Sequence, residues 1–188
     1  MASSPVLDFA RLLAPISDEH PAGLALRETA ATSSLFFQIK EARQAARAAE
    51  RKKLQRRMMT EAEKEQDPEG EPIVDWDAVY EPAEQVIAEH SKDLWICAWW
   101  IEALARRHGF AGLRDGFRLV RELCERYWDH LHPRPDEDGI ATTVAQLAGL
   151  NGEDSDGALV RPAASVTVSS TIIWMKVTFP TVVAGSRS

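Results

Sequence analysis

Between Ser91 and Pro133 the apolar positions fall into two helical stripes that meet at a glycine. Leu94 to Ala105 is an almost unbroken apolar run. Ahead of it, Ser91-Lys92-Asp93-Leu94 supplies an N-cap hydroxyl at Ser91, and Asp93 puts a carboxylate near the positive end of the helix dipole. Arg106, Arg107 and His108 then place cations beside the last carbonyls, and Gly109 ends the helix. The second stripe runs through Leu119, Val120, Leu123, Cys124, Tyr127, Trp128 and Leu131 and stops at Pro133. This pattern predicts a helical hairpin built for packing. Gly109, Gly112 and Gly116 permit a tight turn and close helix approach, while the strand that a phosphate-binding loop needs ahead of its glycines is missing.

The remaining pattern adds further helices. Val6 to Leu13 predicts a short one, followed by an extended connection through Pro15, Pro21 and Gly23. A second begins near Ser33 or Ser34 and runs through Leu35, Phe36, Ile39, Ala42, Ala46 and Ala49 toward Gln55. Its apolar face fades from aromatic to alanine, so its first half is expected to be buried and its Arg-rich half to project, frayed, into solvent. Residues 60 to 72 carry too little apolar surface and read as a flexible acidic loop. Asp75 is placed to cap a helix whose apolar face is Trp76, Val79, Tyr80, Ala83, Val86 and Ile87, with Pro82 expected to kink it. Ile140 to Leu150 predicts a last helix stopped by Asn151-Gly152. The expected fold is all-α, an up-and-down bundle of five to six helices over residues 1–152. From residue 153 to 188 the composition shifts to Val, Thr, Ser and Ile, predicting an extended or partly disordered C-terminal tail.

Charge sharpens the picture. The 188 residues carry a net charge of -7, which disfavours broad binding to nucleic acid or anionic membrane. The average conceals an asymmetry: Lys40 to Arg57 holds eight cations against Glu41 and Glu50, and Glu61 to Asp93 holds twelve carboxylates against Lys64 and Lys92. Cys97 and Cys124 sit on apolar stripes and read as small buried hydrophobes. No charged region precedes the apolar stretch at Val6 to Leu13, and the longest apolar run contains Glu102 and is too short to span a bilayer, so a soluble, cytoplasmic chain without membrane insertion is expected.

A set of short motifs carries a resemblance. Leu12-Leu13-Ala14-Pro15-Ile16-Ser17, Pro21-Ala22-Gly23, Asp75-Trp76, Ser91-Lys92-Asp93-Leu94, Gly109-Phe110-Ala111-Gly112-Leu113, Tyr127-Trp128-Asp129 with Leu131-His132-Pro133, and Leu150-Asn151-Gly152 follow one another in order. Over residues 8 to 168 the chain resembles the amino-terminal domain of the ImpA or TssA family of bacterial type VI secretion systems. The resemblance implies a non-enzymatic assembly factor that contacts baseplate, tail sheath or tube proteins, with no cofactor. It also implies oligomerisation through downstream regions absent here. After about Val168 the likeness ends, and Pro82 falls where the family pattern suggests regular helix.

The chemistry weighed beside that implication is sparse. His130 and His132, near Asp129, Asp136, Glu137 and Asp138, have a metal-ligand flavour that would suit a metal-dependent hydrolase, but the carboxylates lie on a Pro-rich turn expected to be solvated. The helix from Arg43 to Arg57 could serve a nucleic-acid adaptor, yet it lacks interleaved aromatics. A solvated face or pairing with an acidic partner accounts for it better, with Arg47 and Arg51 as candidate contacts. Trp95 and Trp99 share a helical face while Trp100 lies about a hundred degrees away. The helix is therefore central in the bundle, or Trp95 and Trp99 anchor an interface. Tyr127 and Trp128 are expected to seal the bundle end, with Asp129 capping the next turn or accepting from Trp76.

Overall fold

A computed structural model describes residues 3–27, 30–68, 70–150 and 159. Its centre is the long helix α5 (Leu94–Tyr127), which bends back on itself at Gly109, where φ is 56° and ψ is -133°. The two limbs, 94–108 and 110–127, are the anticipated hairpin. They approach closely enough that a Cβ at Gly112 would lie 2.2 Å from the Leu104 carbonyl oxygen.

Four other helices precede α5 and one follows it: α1 (Phe9–Leu12), α2 (Ala30–Arg57), α3 (Glu61–Glu65), α4 (Asp77–Glu89) and α6 (Ile140–Ala148). Helices α2, α4 and α6 pack around the first limb of α5. Phe36 of α2 lies 5.1 Å from the Trp99 ring, and Tyr80 of α4 lies 5.7 Å edge-on from Trp100. From α6, the Thr142 carbonyl and the Gln146 side chain each accept an indole N–H, from Trp95 and Trp99, at 2.9 Å. Leu94, Ile96, Trp100 and Leu104 have no exposed area, as burial of a large apolar face on every side requires. The fold is all-α, with no strand among the described residues.

Several expectations are corrected. The helix opens at Leu94, so its N-cap is Asp93 and not Ser91: the Asp93 carboxylate accepts from the backbone N–H of Trp95 at 2.8 Å and of Ile96 at 3.2 Å. Ser91 lies wholly buried and its backbone pairs with Gly23. Helix α2 starts earlier than Ser33 and stays helical to Arg57. The acidic segment is not loop throughout, because Thr60 and Glu63 form a reciprocal capping box that opens α3, and Arg56 holds Asp67 at 2.5 Å. Helix α4 begins at Asp77 and continues through Pro82, while Asp75 still accepts from the Ala78 N–H at 3.1 Å. The Asn151-Gly152 stop and the expected tail, apart from Leu159, lie outside the described residues.

Candidate functional site

One end of the bundle gathers the segments that carry the sequence motifs. Lys92 donates its backbone N–H to the Ala22 carbonyl at 2.7 Å and accepts one from His132 at 3.2 Å, and Leu94 donates to the His132 carbonyl at 2.7 Å. The Tyr127 hydroxyl reaches back to the Leu13 carbonyl at 2.8 Å. Gly23 pairs with Ser91 at φ 74°, and a Cβ there would stand 2.1 Å from the His90 carbonyl oxygen, so only glycine fits. The knot closes on Lys92, whose fully buried ammonium donates to the Leu12 and Ile87 carbonyls, each at 2.8 Å. Burial pulls its pKa down to about 8. The neighbouring Asp93 carboxyl is pushed above the usual range by burial, against the pull of the two helix N–H groups it accepts from.

Beside this knot lies a cleft of about 240 Å³, lined by the loop His20 to Ala25 and by His130, His132 and Arg134. His132 is 7% exposed; its Nε2 stands 3.2 Å from the Gly23 carbonyl oxygen, and its Nδ1 has no partner among the described residues. Arg134 donates to the Asp129 carbonyl. A second, more open cleft of about 660 Å³ runs along α2 and α4 and carries Asp75, Asp77 and Glu81.

The basic half of α2 is only in part the solvated face expected of it, with Arg51 and Arg57 exposed. Arg43 and Arg47 turn inward and grip the Glu102 carboxylate, which has no exposed area, at 2.7 and 2.8 Å. Arg106 clamps Glu50 through two N–H groups at 2.6 and 2.8 Å and stacks 3.9 Å from the Trp76 ring, whose indole N–H also goes to Glu50 and not to Asp129. Burial would raise the Glu50 pKa, but the Arg106 and Trp76 donors overcome it and hold the carboxyl below its usual value. Arg51 remains exposed.

The aromatic expectations divide. Trp95 and Trp99 lie inside the bundle under α6, with Trp99 only 3% exposed and the Arg27 guanidinium 4.5 Å over the Trp95 ring. Trp128, placed at the bundle seal by its sequence, is instead 53% exposed on the 3-10 turn Trp128–His130, because the helix ends at Tyr127 and turns its successor outward. Asp129 is exposed beside it, and Pro133 is buried after a cis peptide bond. His130 faces solvent while His132 is buried, and among the described residues no three or more His, Cys, Asp or Glu side chains are grouped to hold a metal. Burial raises the thiol pKa of both Cys97 and Cys124. Sequence reasoning gave no tertiary partner to Lys92 or Glu50 and placed Arg106 only beside the helix-end carbonyls, where it does donate to the Glu102 carbonyl at 2.9 Å. The signal for the Glu102 pair was a lone carboxylate inside an apolar run.

Among the described residues no helix is long and apolar enough to cross a membrane. Over 62 residues, 33% of its length, the chain is 36% identical to the type VI secretion system component TssA1 of Pseudomonas aeruginosa, of which the match covers 18%. It also resembles, with a TM-score of 0.54 and 28% identity, a solved N-terminal domain that includes the conserved ImpA_N region of the TssA component of the type VI secretion system from Burkholderia cenocepacia. That likeness covers 78% of this chain and 49% of the other, so the chain spans about half of the solved relative and less of the curated one. Residues 13–152 match the family described as ImpA, N-terminal, type VI secretion system, and the chain belongs to that family.

Proposed function

We propose that this chain is a non-enzymatic docking module of a type VI secretion system, working on the cytoplasmic side and binding baseplate, sheath or tube proteins through its folded surface. The observation that carries the reading is the family match over residues 13–152. The interior agrees with it. Glu102, Glu50 and Asp93 are each engaged by arginines or helix N–H groups, and Lys92 by carbonyls, which leaves these groups to hold helices together. Neither competing reading gains support: His130 and His132 differ in exposure and build no ligand set among the described residues, and Arg43 and Arg47 are spent on Glu102.

The test is capture of purified secretion components, one at a time, by the immobilised chain. Saturable binding of at least one baseplate, sheath or tube protein is expected. A folded chain that retains none of them overturns the reading.

A further inference from the structure

The cleft at the bundle end is lined without acids in a chain that is rich in them. With a net charge of -7, the molecule lines this cleft with three imidazoles, one guanidinium, backbone and small apolar side chains, and with no carboxylate. Glu19, Asp129 and Asp93 stand outside it. Glu19 lies 3.9 Å from the His20 ring, Asp129 offers Arg134 its carbonyl, and Asp93 is buried beneath. Arg134 spends one N–H on that carbonyl, and a guanidinium has five. His132, more than nine-tenths buried, leaves Nδ1 unpartnered among the described residues, a cost that a native structure ordinarily avoids.

Size and rigidity narrow the ligand. At about 240 Å³ the cleft is smaller than the roughly 300–1,000 Å³ of small-molecule sites and suits one or two side chains. Its walls are set before any ligand arrives, because the 20–25 loop is tied to Ser91 and Lys92 through Gly23 and Ala22. Leu24, 50% exposed, lines it, and Trp128, 53% exposed, shares a turn with His130, so apolar anchors flank Arg134 and the imidazoles.

We infer that this cleft takes carboxylate side chains from an acidic, apolar-flanked peptide segment of a partner protein. The inference rests on the docking reading and names the chemistry of its partner. The oppositely charged cleft at Asp75, Asp77 and Glu81 serves as an internal control, since an acidic peptide is repelled there.

The probe is an acetylated, amidated heptapeptide of glutamates around a central leucine, titrated into the whole 15N-labelled chain at low salt, beside a matched peptide with glutamine at every acidic position. Saturable amide shifts confined to residues 20–25 and 130–134 are expected. Affinity falls at least tenfold for the glutamine peptide and for Arg134→Glu combined with His130→Glu, two exposed positions whose change leaves the remaining amides in place. Shifts scattered over the surface, an equal response to both peptides, or an unaffected variant overturn the inference, as does inorganic phosphate reproducing the same saturable shifts. The two readings fail separately. A variant that captures a secretion component as well as the unaltered chain retires the cleft alone, whereas an unaltered chain that captures none retires the docking reading.

Discussion

The Lys92 ammonium donates to the Leu12 carbonyl at 2.8 Å, joining α1 to the start of α5 across 80 positions of sequence. Burial, not a neighbouring carboxylate, sets its pKa near 8, well under the ordinary 10.5. The unfolded chain therefore binds more protons than the folded one between those values, and stability rises with pH across that window. Relative to Lys92→Met, the unaltered chain is expected to gain about 2 kcal/mol between pH 7 and pH 9.5. Urea unfolding of both proteins at the two pH values measures it, and the contributions of Cys97 and Cys124 cancel in the difference. A flat or falling difference contradicts the assignment.

Glu102 is the converse case, a carboxylate with no exposed area held by Arg43 and Arg47. Removing one side of a buried pair strands the other, at about 3–5 kcal/mol, whereas replacing the whole set by apolar groups of similar volume is often close to neutral. Glu102→Ala is expected to lose about 3 kcal/mol of unfolding free energy. Glu102→Leu with Arg43→Met and Arg47→Leu is expected to recover most of that loss. Equal losses in the two proteins would show that packing, not charge pairing, sets the cost.

The sequence announced the hairpin and missed these pairs for the same reason. Periodicity reports which residues face inward but is blind to which charged neighbours cross between helices. The bend at Gly109 and the burial of Trp100 were legible because glycine after a basic turn and a continuous apolar run are local signals. Glu102 and Arg43 lie 59 positions apart, so neither reveals the other, and Arg43 and Arg47 read as solvated until α2 is docked on α5. Ser91 was a reasonable cap by residue type, but the backbone bond from Leu94 to His132 accompanies a helix start three residues beyond it. The 20–25 loop and Arg134 carry no motif of binding chemistry; tertiary bonds of Lys92, Ser91 and His132 bring the two segments together.

Glu50 supplies an acid-side dependence of the same sign as that of Lys92, because both folded pKa values lie below the ordinary ones. Its folded pKa lies below the ordinary 4.5, so the stability it contributes is present above that value and is lost as pH falls through the folded pKa. Glu50→Gln is expected to unfold more readily near neutral pH and to show a shallower loss on acidification. Thermal unfolding followed from pH 6 to pH 3 compares the slopes, and parallel slopes would exclude Glu50 as a source.

Trp99 and Trp128 separate folding from docking. Trp99 is 3% exposed between Phe36 and Gln146, and truncating a large buried aromatic costs about 3–5 kcal/mol, so Trp99→Ala is expected to unfold the bundle or leave it marginal. Trp128, with half its surface in solvent, is expected to change stability by no more than about 0.5 kcal/mol when made Ala. If the end of the bundle that carries it is the contact face, Trp128→Ala weakens capture of a secretion component while melting as the unaltered chain does. A Trp99 variant that stays folded and loses capture would return the interface to the first limb of α5, and a Trp128 variant with full capture would remove this turn from it.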